Sequence, residues 1–292
     1  MGICKSRTII ITGAGAGLGR GYSMALAAEG ANVVVNDIKH EAADAVVAEI
    51  KAGGGKAIAN SDDITSMSGA DNIVKSAVAA FGDVHGVVNN AGVVRDRMFA
   101  SMSEEEWDTV IRVHLKGHFC IANTLVKRWR DQVKAGQKVE GRIVNTSSGA
   151  GLQGNIGQAN YSAAKAGIAS LTLVQAAELG RYGITANALA PAARTGMTEG
   201  PFGAMMKKPE DGSFDHYAPE NVAPLVVWLC SPLSAHVSGK VFEVEGGKVS
   251  IANGWKTGIV RDKKARWNPA ELSGVIDGLI AESPKAQKVY GT

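Results

Sequence analysis

Hydrophobic and polar positions along this chain follow two rhythms. Short runs rich in β-branched residues are separated by longer stretches with helical periodicity. Residues 7–12 (RTIIIT) are the first short run and fit a buried strand. A Gly-rich turn follows, Gly13-Ala14-Gly15-Ala16-Gly17-Leu18-Gly19-Arg20-Gly21, and then an apolar helical pattern through Ala28. Residues 32–36 (NVVVN) form a second strand ending at Asp37, with a helix over about 40–51 behind it. Residues 56–60 are a third strand closing in Asp62-Asp63-Ile64, and 67–81 are helical. Residues 84–88 are a fourth strand, closing in Asn89-Asn90-Ala91-Gly92. Strands alternating with helices predict an α/β fold with a parallel, doubly wound sheet. Ligands of such sheets sit at the carboxyl ends of the strands, where Asp37, Asp63 and Asn89 all fall.

The pattern continues past the midpoint. Ser103-x-x-Glu106 is a capping box and starts a helix running to about residue 130. Residues 131–140 are polar and read as a surface loop, and 142–145 are a strand closing in Thr146-Ser147-Ser148-Gly149. An Ala-rich helix over about 160–181, a strand at 184–189, a helix at 221–230 and a last strand at 240–244 follow. Between Pro191 and Pro219 the periodicity fails, although Phe202, Met205 and Met206 are apolar, which suits a lid or binding loop. The chain thus divides into a single domain over 1–247 and an extension over 248–292. The extension mixes bases with aromatics: Trp255, Lys256, Arg261, Lys263, Lys264, Arg266 and Trp267. It reads as an arm on the domain or a partner subunit, as a border of the substrate entrance with bases for CoA phosphates, or as a solvated tail pinned by two Trp.

Composition narrows the function. The net charge of +3 over 292 residues calls for neither nucleic acid nor an anionic membrane. Cys4, Cys120 and Cys230 are scattered, as free thiols in a reducing, cytoplasmic compartment would be. The six His show no ligand spacing, so no metal is expected. No apolar run approaches a membrane span, no signal peptide precedes the first strand, and Tyr290-Gly291-Thr292 is no peroxisomal address. The start, Met1-Gly2-Ile3-Cys4-Lys5-Ser6, fits the short myristoylation pattern with a palmitoylatable Cys4, a common coincidence.

The chemistry centres on Asn160-Tyr161-Ser162-Ala163-Ala164-Lys165. Tyr161 and Lys165 are four apart and share one helix face. An ammonium beside a phenol favours the phenolate, which suits proton exchange in carbonyl/alcohol chemistry. Upstream, strand, glycine turn and helix N-terminus make a cradle for a pyrophosphate, with spacing T-G-x-x-x-G-x-G on Thr12, Gly13, Gly17 and Gly19. Asp37 stands where a carboxylate bonds the adenosine ribose and repels a 2′-phosphate. Ala16 supplies no cation for that phosphate, although Lys39 is near, so NAD is expected over NADP.

Taken together these motifs resemble the short-chain dehydrogenase/reductase family over about residues 7–247. The resemblance implies a Rossmann-type, seven-stranded parallel sheet with helices on both faces, and a homodimer or homotetramer. It implies that Gly13, Gly17, Leu18 and Gly19 cradle the pyrophosphate, and that Asp37 holds the ribose and Asp63-Ile64 the adenine. Asn89 and Gly92 would support the cofactor pocket, and Pro191 and Thr195 the carboxamide end. Ser148 would hold the substrate oxygen, Tyr161 would move the proton, and Lys165 would bind the nicotinamide ribose. Most of the family has Asn where this chain has His114, either a proton relay or a packed spacer. Residues 93–99, 113–115, 154–161 and 222–230 are similar, more narrowly, to the (3R)-hydroxyacyl-CoA dehydrogenase part of the peroxisomal multifunctional β-oxidation enzyme. That branch implies NAD-dependent oxidation of a 3-hydroxyacyl-CoA, with a steroid substrate, 3-oxoacyl-carrier-protein reduction and a non-catalytic NAD-binding scaffold as alternatives.

Overall fold

The computed structural model describes residues 2–198, 203, 205–287 and 289. Phe202 and residues 290–292, named above, lie outside the described residues. Eight strands form one sheet in the order β3-β2-β1-β4-β5-β6-β7-β8. They are β1 (Thr8–Thr12), β2 (Asn32–Asn36), β3 (Lys56–Asn60), β4 (Gly86–Asn89), β5 (Arg142–Thr146), β6 (Thr185–Ala192), β7 (Val241–Glu245) and β8 (Lys248–Ile251). The first seven run parallel. The eighth, beyond the expected seven, pairs antiparallel with β7 through the turn at Gly246-Gly247, with Glu245 opposite Lys248. A two-residue Gly-Gly turn is a hairpin signal. The run is short and its residues are exposed, so its hydrophobic pattern is weak.

Alternation along the strands builds two cores. Ile9, Ile11, Val33 and Val35 face one side and pack with helices α1 (Gly17–Ala28), α2 (His40–Ala52) and Ala223–Cys230. Ile10, Val34, Val87 and Ile143 face the other, against α3 (Met67–Phe81) and the helix carrying Leu125 and Trp129. Helices therefore cover both faces. The sheet reverses its winding between β1 and β4, which opens a crevice at their carboxyl ends.

The long helix expected over about 104–130 is interrupted. α4 (Glu104–Ile111) starts on the Ser103/Glu106 capping box, then a π turn spans Arg112–Lys116, and α5 (Gly117–Lys134) continues past residue 130. Part of the expected surface loop at 131–140 is thus helical. Beyond β5 come a short helix, α6 (Gly149–Gln153), and the long α7 (Ala159–Leu179). α8 is Ala223–Cys230 and α9 is Leu272–Glu282. Pro191 and Ala192 belong to β6 rather than to the irregular loop. Among the described residues no helix is long and apolar enough to cross a membrane.

The amino terminus is bolted to the end of α1: Ile3 N donates to Glu29 Oε2 and Cys4 N to Glu29 O. Cys4 is fully buried and its thiol donates to Val227 O, so it offers no site for an acyl chain.

Candidate active site

β5 and α7 bring the three central side chains together. Ser148 caps α6, its Oγ accepting from Ala150 N at 3.2 Å. α6 lies so close to α7 that a Cβ on Gly151 would stand 2.6 Å from Lys165 backbone carbon. Ser147 Oγ donates to Lys165 O at 2.9 Å, a second tie between the end of β5 and α7. Asn160 fixes the start of α7. Its Oδ1 accepts from Tyr161 N, while its Nδ2 donates to Arg95 O and Glu106 O. One turn on, Lys165 Nζ lies 5.5 Å from the centroid of the Tyr161 ring.

Lys165 is buried, with no carboxylate among its partners in the described residues; its Nζ donates to Thr146 O at 2.7 Å. Burial alone pushes the ammonium down to about 7. An ammonium has three donors, and the carbonyl takes one. His114 meets Tyr161 edge-on, with ring centroids 5.2 Å apart. Burial, and then the charge of Lys165, hold its imidazole down to about 3, so it is neutral at working pH. The Tyr, Lys and Ser of the sequence reading are thus gathered at one corner, with His114 beneath.

The second half of the site lies at the crevice. Gly17 has φ +53°, and a Cβ there would project to 3.6 Å from the Thr195 methyl. A Cβ on Gly19 would stand 2.2 Å from Gly13 O, so the turn tolerates no side chain at that position. The N-terminus of α1 has neither a side-chain cap nor an acidic residue, which leaves its N–H groups to an anion. Leu18 packs on the core behind the turn. Asp37 closes the far end: Oδ2 accepts from Gly15 N at 2.9 Å and Oδ1 from Lys39 N. Glycine cradle, bare helix end and half-buried carboxylate fit a dinucleotide.

The remaining expected residues have these surroundings. Asn89 is buried and turned into the sheet, where its Nδ2 donates to Asn145 Oδ1. Asp63 is engaged locally, accepting from Thr65 N and Oγ1, and Ile64 is buried against α5. Gly92 lies over the His114 ring. Thr195 N donates to Thr198 Oγ1, and Pro191 pairs with Val244. Sequence reasoning gave no role to Asn90 and none beyond the motif to Thr12. Asn90 Nδ2 donates to Thr12 O and Gly13 O, and Thr12 Oγ1 accepts from Asn90 N and Ala91 N, which ties the two strand ends that flank the crevice. Their signal was the position of each at a strand terminus beside a glycine. In the loop after β6, Arg194 pairs with Asp215 and donates to Met206 O, so this segment is pinned to the domain.

A parallel sheet with a glycine cradle at its switch point, and a Tyr/Lys pair across the crevice, defines a dinucleotide-dependent oxidoreductase. The short-chain dehydrogenase family matches residues 7–202, and the chain belongs to it. It is 46% identical to the hydroxyacyl-CoA dehydrogenase ChsB1 of Mycobacterium tuberculosis, over 99% of this chain and 93% of that protein. It is 43% identical to peroxisomal multifunctional enzyme type 2 of Mus musculus, over 90% of this chain and 35% of that protein. The crystal structure of a short chain dehydrogenase from Mycobacterium avium superposes with a TM-score of 0.91, at 51% identity and full coverage of both chains.

Proposed function

We propose that this dehydrogenase oxidises a (3R)-3-hydroxyacyl-CoA, of fatty or sterol side-chain origin, to the 3-oxoacyl-CoA, with NAD as acceptor. The observation that carries the reading is the placing of Lys165 beside the Tyr161 ring on α7, with Ser148 capping the helix α6 that packs closely on Lys165. A bound nicotinamide would supply the acceptor for the hydride of the carbinol carbon. The protein's own residues do the rest. Ser148 Oγ holds the substrate oxygen, and Tyr161 Oη takes its proton as the carbonyl forms. Lys165, with two donors left after Thr146 O, binds the nicotinamide ribose and supports the phenolate. Asp37, held beside the glycine turn by Gly15 N, accepts from the adenosine ribose hydroxyls and repels a 2′-phosphate.

The acyl-CoA preference is supported by likeness to ChsB1 over nearly the whole chain. Free steroid oxidation is the alternative within the same chemistry. The 3-oxoacyl-carrier-protein reductase alternative fits less well, because Asp37 disfavours a phosphorylated cofactor. Exposed Phe119 on α5 and exposed Leu173 and Val174 on α7 suit a homodimer or homotetramer in the cytoplasm.

The test is NADH formation with a matched pair of (3R)- and (3S)-hydroxyacyl-CoA. The expected result is turnover of the R form alone, with NADP a poor substitute for NAD. Preference for the S form, or turnover of free steroid only, contradicts the substrate reading.

A further inference from the structure

His114 is a buried imidazole to which the reaction as described gives no work. It is 1% exposed and sits on the π turn Arg112–Lys116 between α4 and α5. Such turns recur at functional sites, where the wider winding re-aims side chains. Here it sends two successive residues against α7. His114 meets Tyr161 edge-on with planes at 89°, and Leu115 lies against Gly167. The opposite side of the imidazole is fixed by the loop after β4: Nε2 is 2.7 Å from Val93 O and 3.0 Å from Val93 N. The other nitrogen, Nδ1, is buried without a hydrogen-bond partner among the described residues. A buried polar atom left so is destabilising, a cost that an apolar side chain here would avoid. Stability alone does not account for a histidine.

Gly92 supplies the second, independent observation. Its φ is not positive, so its backbone does not demand glycine. Space does: a Cβ on Gly92 would stand 2.2 Å from His114 Cε1 and 3.0 Å from each ring nitrogen.

We propose that Gly92 and His114 act as a pair that positions Tyr161, His114 wedged between Val93 and the phenol ring and Gly92 kept bare to admit the wedge. Gly92 then serves the catalytic tyrosine rather than the cofactor pocket. The imidazole works as a neutral wedge and not as a proton carrier. The groups facing it are Tyr161, Lys165 and His118, and His118 is itself buried and held well below its ordinary value. The proposal rests on Tyr161 being the residue that moves the proton.

A double-mutant cycle tests the pair. In the otherwise native chain, Gly92→Ala drives the ring aside and lowers kcat at least tenfold, with NADH affinity within twofold. In a His114→Asn background the shorter side chain leaves room, and the same substitution changes kcat less than twofold. Equal losses in both backgrounds, or a loss of NADH affinity, overturn the proposal and return Gly92 to the cofactor pocket. If Gly92→Ala alone is insoluble, the double variant must be soluble and as active as His114→Asn, and insolubility of both also overturns it. A kcat–pH profile completes the test. His114→Asn leaves its limbs in place, and disappearance of a limb near neutrality would make His114 a proton carrier. Melting temperatures give the same cycle without turnover. A native protein that oxidises no alcohol, yet shows Gly92→Ala costly only beside His114, defeats the functional reading and leaves the Gly92–His114 contact standing.

Discussion

The corner around Tyr161 and Lys165 and the C-terminal extension are built on opposite principles. In the corner, polar groups are buried and many of them are bonded, although His114 Nδ1 and Thr146 Oγ1 have no partner among the described residues. Asn145 alone joins β4 to β5 and β5 to α7, accepting from Asn89 and donating to Thr172 Oγ1 and Gln175 Oε1. In the extension, α9 has no buried residue and Trp255 is fully exposed. Three of its bases pair with acids of the extension itself: Arg261 with Glu282, Lys263 with Glu271 and Lys264 with Asp262. Only Val289 among the described residues beyond 252 is buried, at 4% exposure, with its methyl 3.7 Å from where a Cβ on Gly149 would be. Val289 thus lies beside the start of α6, next to Ser148, where the extension can influence what enters.

The contrast breaks hardest at Asn145. Replacing it with Ala strands two buried polar groups, Asn89 Nδ2 and Gln175 Oε1, and is expected to cost roughly 3 kcal/mol in urea unfolding. An unchanged midpoint would mean that the buried network does not hold the corner.

Lys165 sharpens the contrast through pH. Its folded pKa lies below its unfolded one, so the unfolded chain binds more protons between about pH 7 and the ordinary lysine range. Stability from this group therefore rises with pH across that window, and the penalty is fully present below it. Lys165→Met should raise the unfolding free energy at pH 6 by about a few kcal/mol, and the gain should fade toward pH 10. A gain independent of pH would point to packing instead of charge.

The smallest effect on stability is expected at the extension. A chain ended after Ala252 should unfold within about 0.5 kcal/mol of the native one, because it gives up almost no buried side chain. NADH affinity should hold while KM for the substrate rises. A collapse in stability would show that the extension is part of the core.

Most of the architecture was legible because strand and helix periods differ and each parallel strand is a compact β-branched run. The site was legible where chemistry fixes residue type and spacing together, as at Tyr161 and Lys165 or at Gly13, Gly17 and Gly19. It was illegible where a side chain's direction decides. Asn89 and Asn90 are neighbours of one type, yet one is turned into the sheet and the other holds the glycine turn. The π turn escaped because its residues keep helical patterning on both sides, and only packing against α7 reveals the extra residue. The role of Gly92 depends on a ring 22 positions away in sequence.

The central claim is that Tyr161 moves the proton at this corner. The most direct measurement is NADH formation by Tyr161→Phe beside the native enzyme, with NADH binding followed by fluorescence on both. The account predicts loss of at least 100-fold in kcat, on the order of 3 kcal/mol of transition-state stabilisation, with NADH affinity nearly unchanged. Retained turnover in the Phe variant would contradict it.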